Sequence, residues 1–288
     1  MMEVHERRFH VNGRLMAARC WHDSQLPPIL ALHGWLDNAA TFDRLAPYLS
    51  NYHVVALDFA GHGYSEHRAQ GVRYHLVDHL DDVLAVVKQL AWTSFTLMGH
   101  SMGAGIAVLF SAAMPDAINK LVLIEGLGPY TGQVEDSVQH LSTALNEWQH
   151  AHQGTSRILP SFDHAVKARM NGLLPVGEQA ARLLCQRGTK QVADGLVWTA
   201  DKRLRLSSPT RFSEQQVCAY LSAIQCPTLL ISAENTLPFD RTAYQQRINA
   251  IKQLTHVQLA GGHHLHLDDN VDGVAQVLTT FLQTATVS

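Results

Sequence analysis

A surplus of charge of either sign is missing from this 288-residue chain: 22 Lys and Arg stand against 25 Asp and Glu, a formal net charge of −3, and the basic residues are scattered. Nucleic-acid binders normally carry a basic excess, so no nucleic-acid partner is expected. Cysteine is sparse. Cys20, Cys185, Cys218 and Cys226 form no CxxC pair and no zinc-type spacing, which reads as reduced thiols with packing roles. No apolar run reaches about 18 residues, so no membrane span is expected. The stretch from Met1 to Arg8 lacks the apolar core of a secretory signal. A soluble, cytoplasmic protein is therefore the default expectation. Internal repeats and low-complexity segments are absent as well. What is present is a chain 46% hydrophobic and only 16% charged, enough for a sizeable core in one large domain or one domain with an insertion. Histidine is abundant, with 18 copies, which raises metal binding, proton transfer or pH sensing.

Strand and helix signals alternate. Residues 3–10 and 14–21 flank Asn12-Gly13, a hairpin dipeptide. Short apolar runs at 28–32, 53–57, 95–98, 120–124, 228–231 and 256–259 read as buried strands. Leu76, Leu80, Val83, Leu84, Val87 and Leu90 share one face of a helix expected over 74–91, and Phe42, Leu45 and Leu49 recur at helical spacing. Strands buried on both faces and followed by helices mean a mostly parallel α/β sheet with helices on both sides. The alternation breaks near residue 128 and resumes near 215. The expected organisation is a core from 1–127 and 216–288 with a helical cap insertion at 128–215.

Gly99-His100-Ser101-Met102-Gly103 lies directly between a strand and a helix. The G-x-S-x-G pattern in that context is a nucleophile elbow: a sharp turn that projects a serine from the sheet edge at a helix N-terminus. Gly103-Ala104-Gly105 lacks the third glycine of a dinucleotide-binding turn, and no lysine follows to make a phosphate loop. Acyl transfer also needs two preorganised N–H donors for the oxyanion. The backbone N–H of Met102 is one candidate. The N–H of Trp35, in the His33-Gly34-Trp35 loop, is the other. The general base belongs after the last strand, in Gly261-Gly262-His263-His264-Leu265-His266. His263 follows the glycine pair and is favoured; His264 is the alternative, and His266 reads as a structural neighbour. His264-Leu-His266-Leu-Asp268-Asp269 approaches the ligand run of binuclear metallohydrolases but ends in Asp where His is needed, and no second ligand cluster accompanies it, so no metal is expected. The usual acid position, near Thr236, holds no Asp. Glu234 and Asp240 are the nearby carboxylates, while Glu125 ends the preceding strand, where a buried carboxylate is costly unless paired. Glu125 is favoured, and a carboxylate binding loop N–H groups is the plainer alternative. His33, His62 and His100, in glycine-flanked turns, are expected to border the pocket, and the remaining twelve histidines to be exposed or partly buried.

With these residues in place the chain resembles the α/β-hydrolase superfamily over nearly its whole length, and more narrowly the serine hydrolase-like protein family. The stretches that carry the resemblance run from His33 to Asp43, from Asp58 to Ser65 and from Gly99 to Gly103, with Gln186 to Thr189 and Gly195-Leu196 in the insertion. The resemblance implies an α/β-hydrolase fold and hydrolase chemistry, and favours Glu125, because that family and the related haloalkane dehalogenases carry their acid at its position. Dehalogenation itself is disfavoured, since its nucleophile is a carboxylate and this elbow holds Ser101. The expected activity is hydrolysis of a small-molecule carboxylic ester by Ser101, His263 and Glu125, without cofactor, under a lid for which Trp148, Leu173, Leu174 and Trp198 are candidate apolar surface, plain packing being the commoner role of each. A carbon–carbon bond hydrolase or amidase on the same machinery, and a non-catalytic small-molecule binding protein on this scaffold, are the alternatives.

Overall fold

The structure is a computed structural model that describes residues 4–151, 157–234 and 241–284. The chain opens with a hairpin, β1 (Val4–Val11) and β2 (Arg14–Trp21), joined by Asn12-Gly13, both with positive φ. It continues through β3 (Pro28–Leu32), β4 (His53–Leu57), α1 (Asp78–Leu90), β5 (Phe95–His100), α2 (Met102–Ala113) and β6 (Ile118–Ile124). A long excursion follows: α3 (Ser137–His150), α4 (Phe162–Met170), α5 (Glu178–Gly188) and a small hairpin of β7 (Thr189–Val192) and β8 (Gly195–Trp198). Then come α6 (Glu214–Ala223), β9 (Thr228–Ala233), α7 (Arg241–Ala250), β10 (Leu254–Leu259) and α8 (Val271–Gln283). Among the described residues no helix is long and apolar enough to cross a membrane.

The main sheet has eight strands in the order β1-β2-β4-β3-β5-β6-β9-β10, with β2 antiparallel to both neighbours and the strands from β4 to β10 parallel. Its alternation explains its burial. Leu30, Leu32, Val55, Leu57, Leu121 and Leu123 face one core layer with α1 and α2, and Ile29, Ala31, Val54, Ala56, Val122 and Ile124 face the other with α8. A strand buried on both sides has no polar face to alternate, hence the apolar runs. Each Leu, Ile or Val among them contributes about 1.5–3 kcal/mol on burial. A third apolar cluster, with Val166, Leu184 and Cys185, joins the excursion to Leu267 in the loop after β10.

Some elements differ from the sequence expectation. The helix expected at 74–91 starts only at Asp78, because the Asp78 carboxylate accepts from the His75 N–H (3.1 Å) and holds a turn ahead of it. The helical spacing of Phe42, Leu45 and Leu49 resolves into two short 3-10 turns, Ala39–Phe42 and Ala46–Tyr48, with Pro47 unable to donate a helical hydrogen bond across the second. The β7–β8 hairpin, in a stretch read as mostly helical, turns through Ala193-Asp194, with Gly195 opening β8 at φ +142°.

Along the sheet's parallel strands the carboxyl ends share one edge. β3 and β5 are neighbours there, and their outgoing chains diverge to opposite sides of the sheet. Ligands of open α/β sheets bind in such a crevice.

Candidate active site

Ser101 follows β5 with φ +52° and ψ −115°, left-handed backbone that a side-chain-bearing residue rarely adopts. Such a conformation costs of order 1–3 kcal/mol and persists where its surroundings enforce it. Close packing enforces it here. A Cβ on Gly103 would lie 2.1 Å from the Leu32 carbonyl oxygen, so that glycine cannot be replaced without moving backbone, and one on Gly34 would press on side chains, 3.1 Å from His100 Nδ1 and 3.3 Å from Ser101 Cβ. The same contact brings the 33–35 loop against the elbow. Met102 begins α2, so its N–H is among the helix's intrinsically unpaired donors.

Glu125 follows β6, the neighbour of β5, and also has positive φ, +53°. Its Oε1 accepts from the Ala233 N–H at 2.6 Å, and its Oε2 lies 3.2 Å from His263 Nδ1. One carboxylate thus does both things the sequence offered as alternatives: it binds backbone N–H and it meets the histidine. The pair is shielded, with side-chain exposure of 11% for His263 and 2% for Glu125. A proton on His263 Nδ1 donated to the carboxylate leaves Nε2 with a free lone pair, and Nε2 is buried without a hydrogen-bond partner among the described residues. His100 steadies this loop from below: its Nε2–H donates to the His263 carbonyl at 2.9 Å. Burial, then neighbouring His266, His263 and His264, hold the His100 ring well below the usual histidine pKa, so it stays neutral.

Ser101, Met102, Trp35, Glu125 and His263 all line one cavity of about 1320 Å³ between the sheet edge and the excursion. Leu173 and Leu174 line it as well. Trp148 instead stacks under Arg73 (4.2 Å to the ring centre), and Trp198 packs in the excursion's own core. Trp35 is fixed at the rim by its Nε1–H, which donates to the Leu204 carbonyl at 2.8 Å. Glu234 is exposed and lines the cavity, but among the described residues the carboxylate that reaches His263 is Glu125; Asp240 lies outside the described residues.

The histidines expected at the rim lie lower. His33, His62 and His100 are fully buried beneath the loops, where they hydrogen-bond backbone, and do not line the cavity. His53 and His79, expected near the surface, are buried too. His264 Nε2–H donates to Asp37 Oδ2 at 2.8 Å, and His266 Nε2 lies 3.0 Å from Thr41 Oγ1. Donor atoms of Asp37, His100 and His264 come within 4.8 Å of one another. They do not suit a metal, because the Arg169 guanidinium already sits 3.0 Å from Asp37 and 3.1 Å from His264. Asp268 and Asp269 accept from the N–H groups of Gly177 (2.5 Å) and Gly262 (2.6 Å). Asp37 lies in the His33–Asp43 stretch but was given no role there, and no local sequence signal pointed to Arg169.

Comparison with known proteins agrees with this architecture. A family model described as the alpha/beta hydrolase fold matches residues 27–270. The chain is 33% identical to serine hydrolase-like protein 2 of Homo sapiens, over 97% of this chain and 94% of that protein. It is 40% identical to a hypothetical protein of Pseudomonas aeruginosa PAO1 whose crystal structure superposes with a TM-score of 0.92, over 97% and 99% of the two chains. The thioesterase domain from the curacin biosynthetic pathway is 26% identical, with a TM-score of 0.86 over 97% of this chain and 99% of that one.

Proposed function

This chain belongs to the α/β hydrolase fold family, and we propose that it is a cytoplasmic serine hydrolase cleaving carboxylic esters of small molecules through Ser101, His263 and Glu125. The observation that carries the reading is the 3.2 Å contact between His263 Nδ1 and Glu125 Oε2, on the same cavity as a serine held at φ +52°.

His263 Nε2 removes the Ser101 proton as Oγ attacks the carbonyl carbon. The oxyanion forms against the N–H groups of Trp35 and Met102. His263, now an imidazolium held by Glu125, gives its proton to the leaving alcohol. It then takes a proton from water, whose oxygen attacks the acyl-enzyme, and returns that proton to Ser101 Oγ. Side chains, backbone N–H groups and water suffice. The segment at 128–215 acts as the lid that bounds the substrate with Leu173 and Leu174. Thioesters belong in the same assays, because the curacin thioesterase domain is similar and the attack on carbon is the same.

A fluorophosphonate probe should label the wild type, and Ser101→Ala should lose both labelling and ester turnover, a fall of about a thousandfold or more. Glu125→Gln should keep labelling but slow it by about a hundredfold or more, through loss of the imidazolium's counter-charge. Unchanged turnover in Ser101→Ala on every substrate the wild type cleaves would sink the mechanism.

A further inference from the structure

Arg169, Asp37 and His264 take no part in the chemistry just described, yet they meet directly beneath it. Arg169 lies on α4 in the excursion, 132 residues from Asp37 and 95 from His264 in sequence. One terminal nitrogen donates to Asp37 Oδ1 at 3.0 Å, and the other to the Leu174 carbonyl at 2.6 Å. His264 donates from Nε2 to Asp37 Oδ2 at 2.8 Å, so that nitrogen cannot also accept from Arg169; the guanidinium 3.1 Å away rests against the ring. The side chains are 15%, 5% and 2% exposed for Arg169, Asp37 and His264. Burial opposes ionisation of Asp37, but His264 and Arg169 overcome it and hold its carboxyl well below the usual carboxylate range. A charged Asp37 is therefore the fixed centre of the cluster.

Each partner of that centre belongs to a working part of the site. Asp37 is two residues from Trp35, in the loop carrying one proposed oxyanion donor. His264 is the chain neighbour of His263. Leu174, with Leu173, walls the cavity. The Trp35 loop and the His263 loop are thus bridged by a carboxylate whose oxygens take different partners, His264 on one side and Arg169 of the excursion on the other, beside the Thr41–His266 contact and the Arg44 bond to the Leu267 carbonyl.

We propose that Arg169 is a positioning residue: through Asp37 and His264 it fixes the separation of the oxyanion and base loops, so that seating the excursion and assembling the hydrolytic geometry are one event. The proposal rests on the reading of Ser101 and His263 given above. It predicts a defect in chemistry at a reacting centre Arg169 does not touch, because misplacing a catalytic group by about an ångström costs up to a hundredfold in rate.

The test compares the wild type with Arg169→Met and Arg169→Lys, using a short-chain alkyl fluorophosphonate and two p-nitrophenyl esters, acetate and octanoate. Arg169→Met should lower the labelling rate and the acetate kcat together by about ten- to a hundredfold, with the acetate KM within about threefold. Arg169→Lys keeps the charge but not the two-ended donation, and should recover only part of the loss. A variant labelled at the wild-type rate, with only the octanoate KM raised, would reduce Arg169 to a cavity-wall support and overturn the proposal. If Arg169→Met fails to fold, Arg169→Lys decides: about a threefold or larger fall in labelling supports the proposal, and the wild-type rate overturns it. A wild type that is not labelled at all would overturn the reading of Ser101, and the proposal with it, a result distinct from labelling equal in wild type and variant.

Discussion

Two arginines of the excursion reach back to acids that follow neighbouring strands of the sheet: Arg169 to Asp37 after β3, at 3.0 Å, and Arg187 to Asp58 after β4, at 2.8 Å. Both acids are buried. Arg187, at the end of α5, is more thoroughly enclosed: its Nε donates to Asp58, its two terminal nitrogens donate to Glu6 of β1 at 2.6 and 2.8 Å, and its guanidinium lies 4.3 Å from the Tyr64 ring centre. Burial opposes its charge, but Glu6 and Asp58 outweigh burial and raise its pKa further. Asp58 also accepts from the N–H groups of Ala39 and Tyr64. None of the Arg187, Asp58 and Glu6 side chains lines the cavity, and none is bonded to a loop residue that adjoins His263. The difference separates two uses of one contact. Where the partner's loop carries no proposed reacting group the ion pair is assigned to the fold alone, and where it carries one the pair is proposed to set geometry as well.

The larger loss of stability is expected at Arg187. Arg187→Met leaves Asp58 charged, fully buried and short of its counter-ion, which costs about 3–5 kcal/mol. Urea denaturation should show that loss, while the fraction that remains folded should keep its ester kcat within about twofold. The double variant with Asp58→Asn should recover part of the stability, because the orphaned charge is gone. A loss under about 1 kcal/mol would place Arg187 among ordinary surface pairs.

A smaller effect per group is expected from pH, on both sides of the comparison. His33, His62 and His79 pack around Phe59 near the Arg187 junction, with His33 and His79 ring centres 4.8 and 4.7 Å from that of Phe59. His100 and His266 lie tilted against each other near the Arg169 junction, with ring centres 4.2 Å apart. Burial is the first cause that lowers the pKa of all five, and it brings His79, with help from Arg68 and His33, from 6.5 to about 3. Below pH 6.5 the unfolded chain binds protons that the folded chain refuses, so stability is full above that value and falls with pH toward the folded value. Each such histidine adds a slope of about 1.4 kcal/mol per pH unit while the gap is open. Unfolding free energies between pH 7 and 5 should fall accordingly, and His79→Phe should flatten the slope by about one proton. An unchanged slope would mean that His79 titrates alike in both states.

How much of this could be read in the chain depends on separation. The elbow is five consecutive residues whose glycines are demanded by backbone contact, and the alternating core follows from apolar runs, so both were legible. Glu125 was legible as a carboxylate at the end of a buried strand. Asp37, Asp58 and Arg187 lie in stretches that carry the family resemblance, but the pairing of Arg169 with Asp37 and of Arg187 with Asp58 was not legible, because the partners are more than a hundred residues apart and nothing local distinguishes an arginine that will pair from one that will face water. Histidine abundance was a weak guide for a related reason. Most of the buried rings satisfy loop backbone or pack on aromatics, and composition carries no record of depth.

The finest division lies inside the Arg187 junction. Glu6 gives Arg187 two short contacts, as good by distance as those of Asp58, but its side chain is 48% exposed where Asp58 is wholly buried. Water screens Glu6 and solvates it once the contact is lost, so Glu6→Gln should cost about 0.2–1 kcal/mol. Gln also keeps one oxygen to accept from the guanidinium. The buried arginine would remain neutralised by Asp58, and ester kcat should not move. The midpoint of urea denaturation, compared with that of Arg187→Met, measures the division. A cost approaching that of Arg187→Met would mean that the weight of the junction rests on β1, and that the excursion is fastened to the edge hairpin more than to the strand end that carries Asp58.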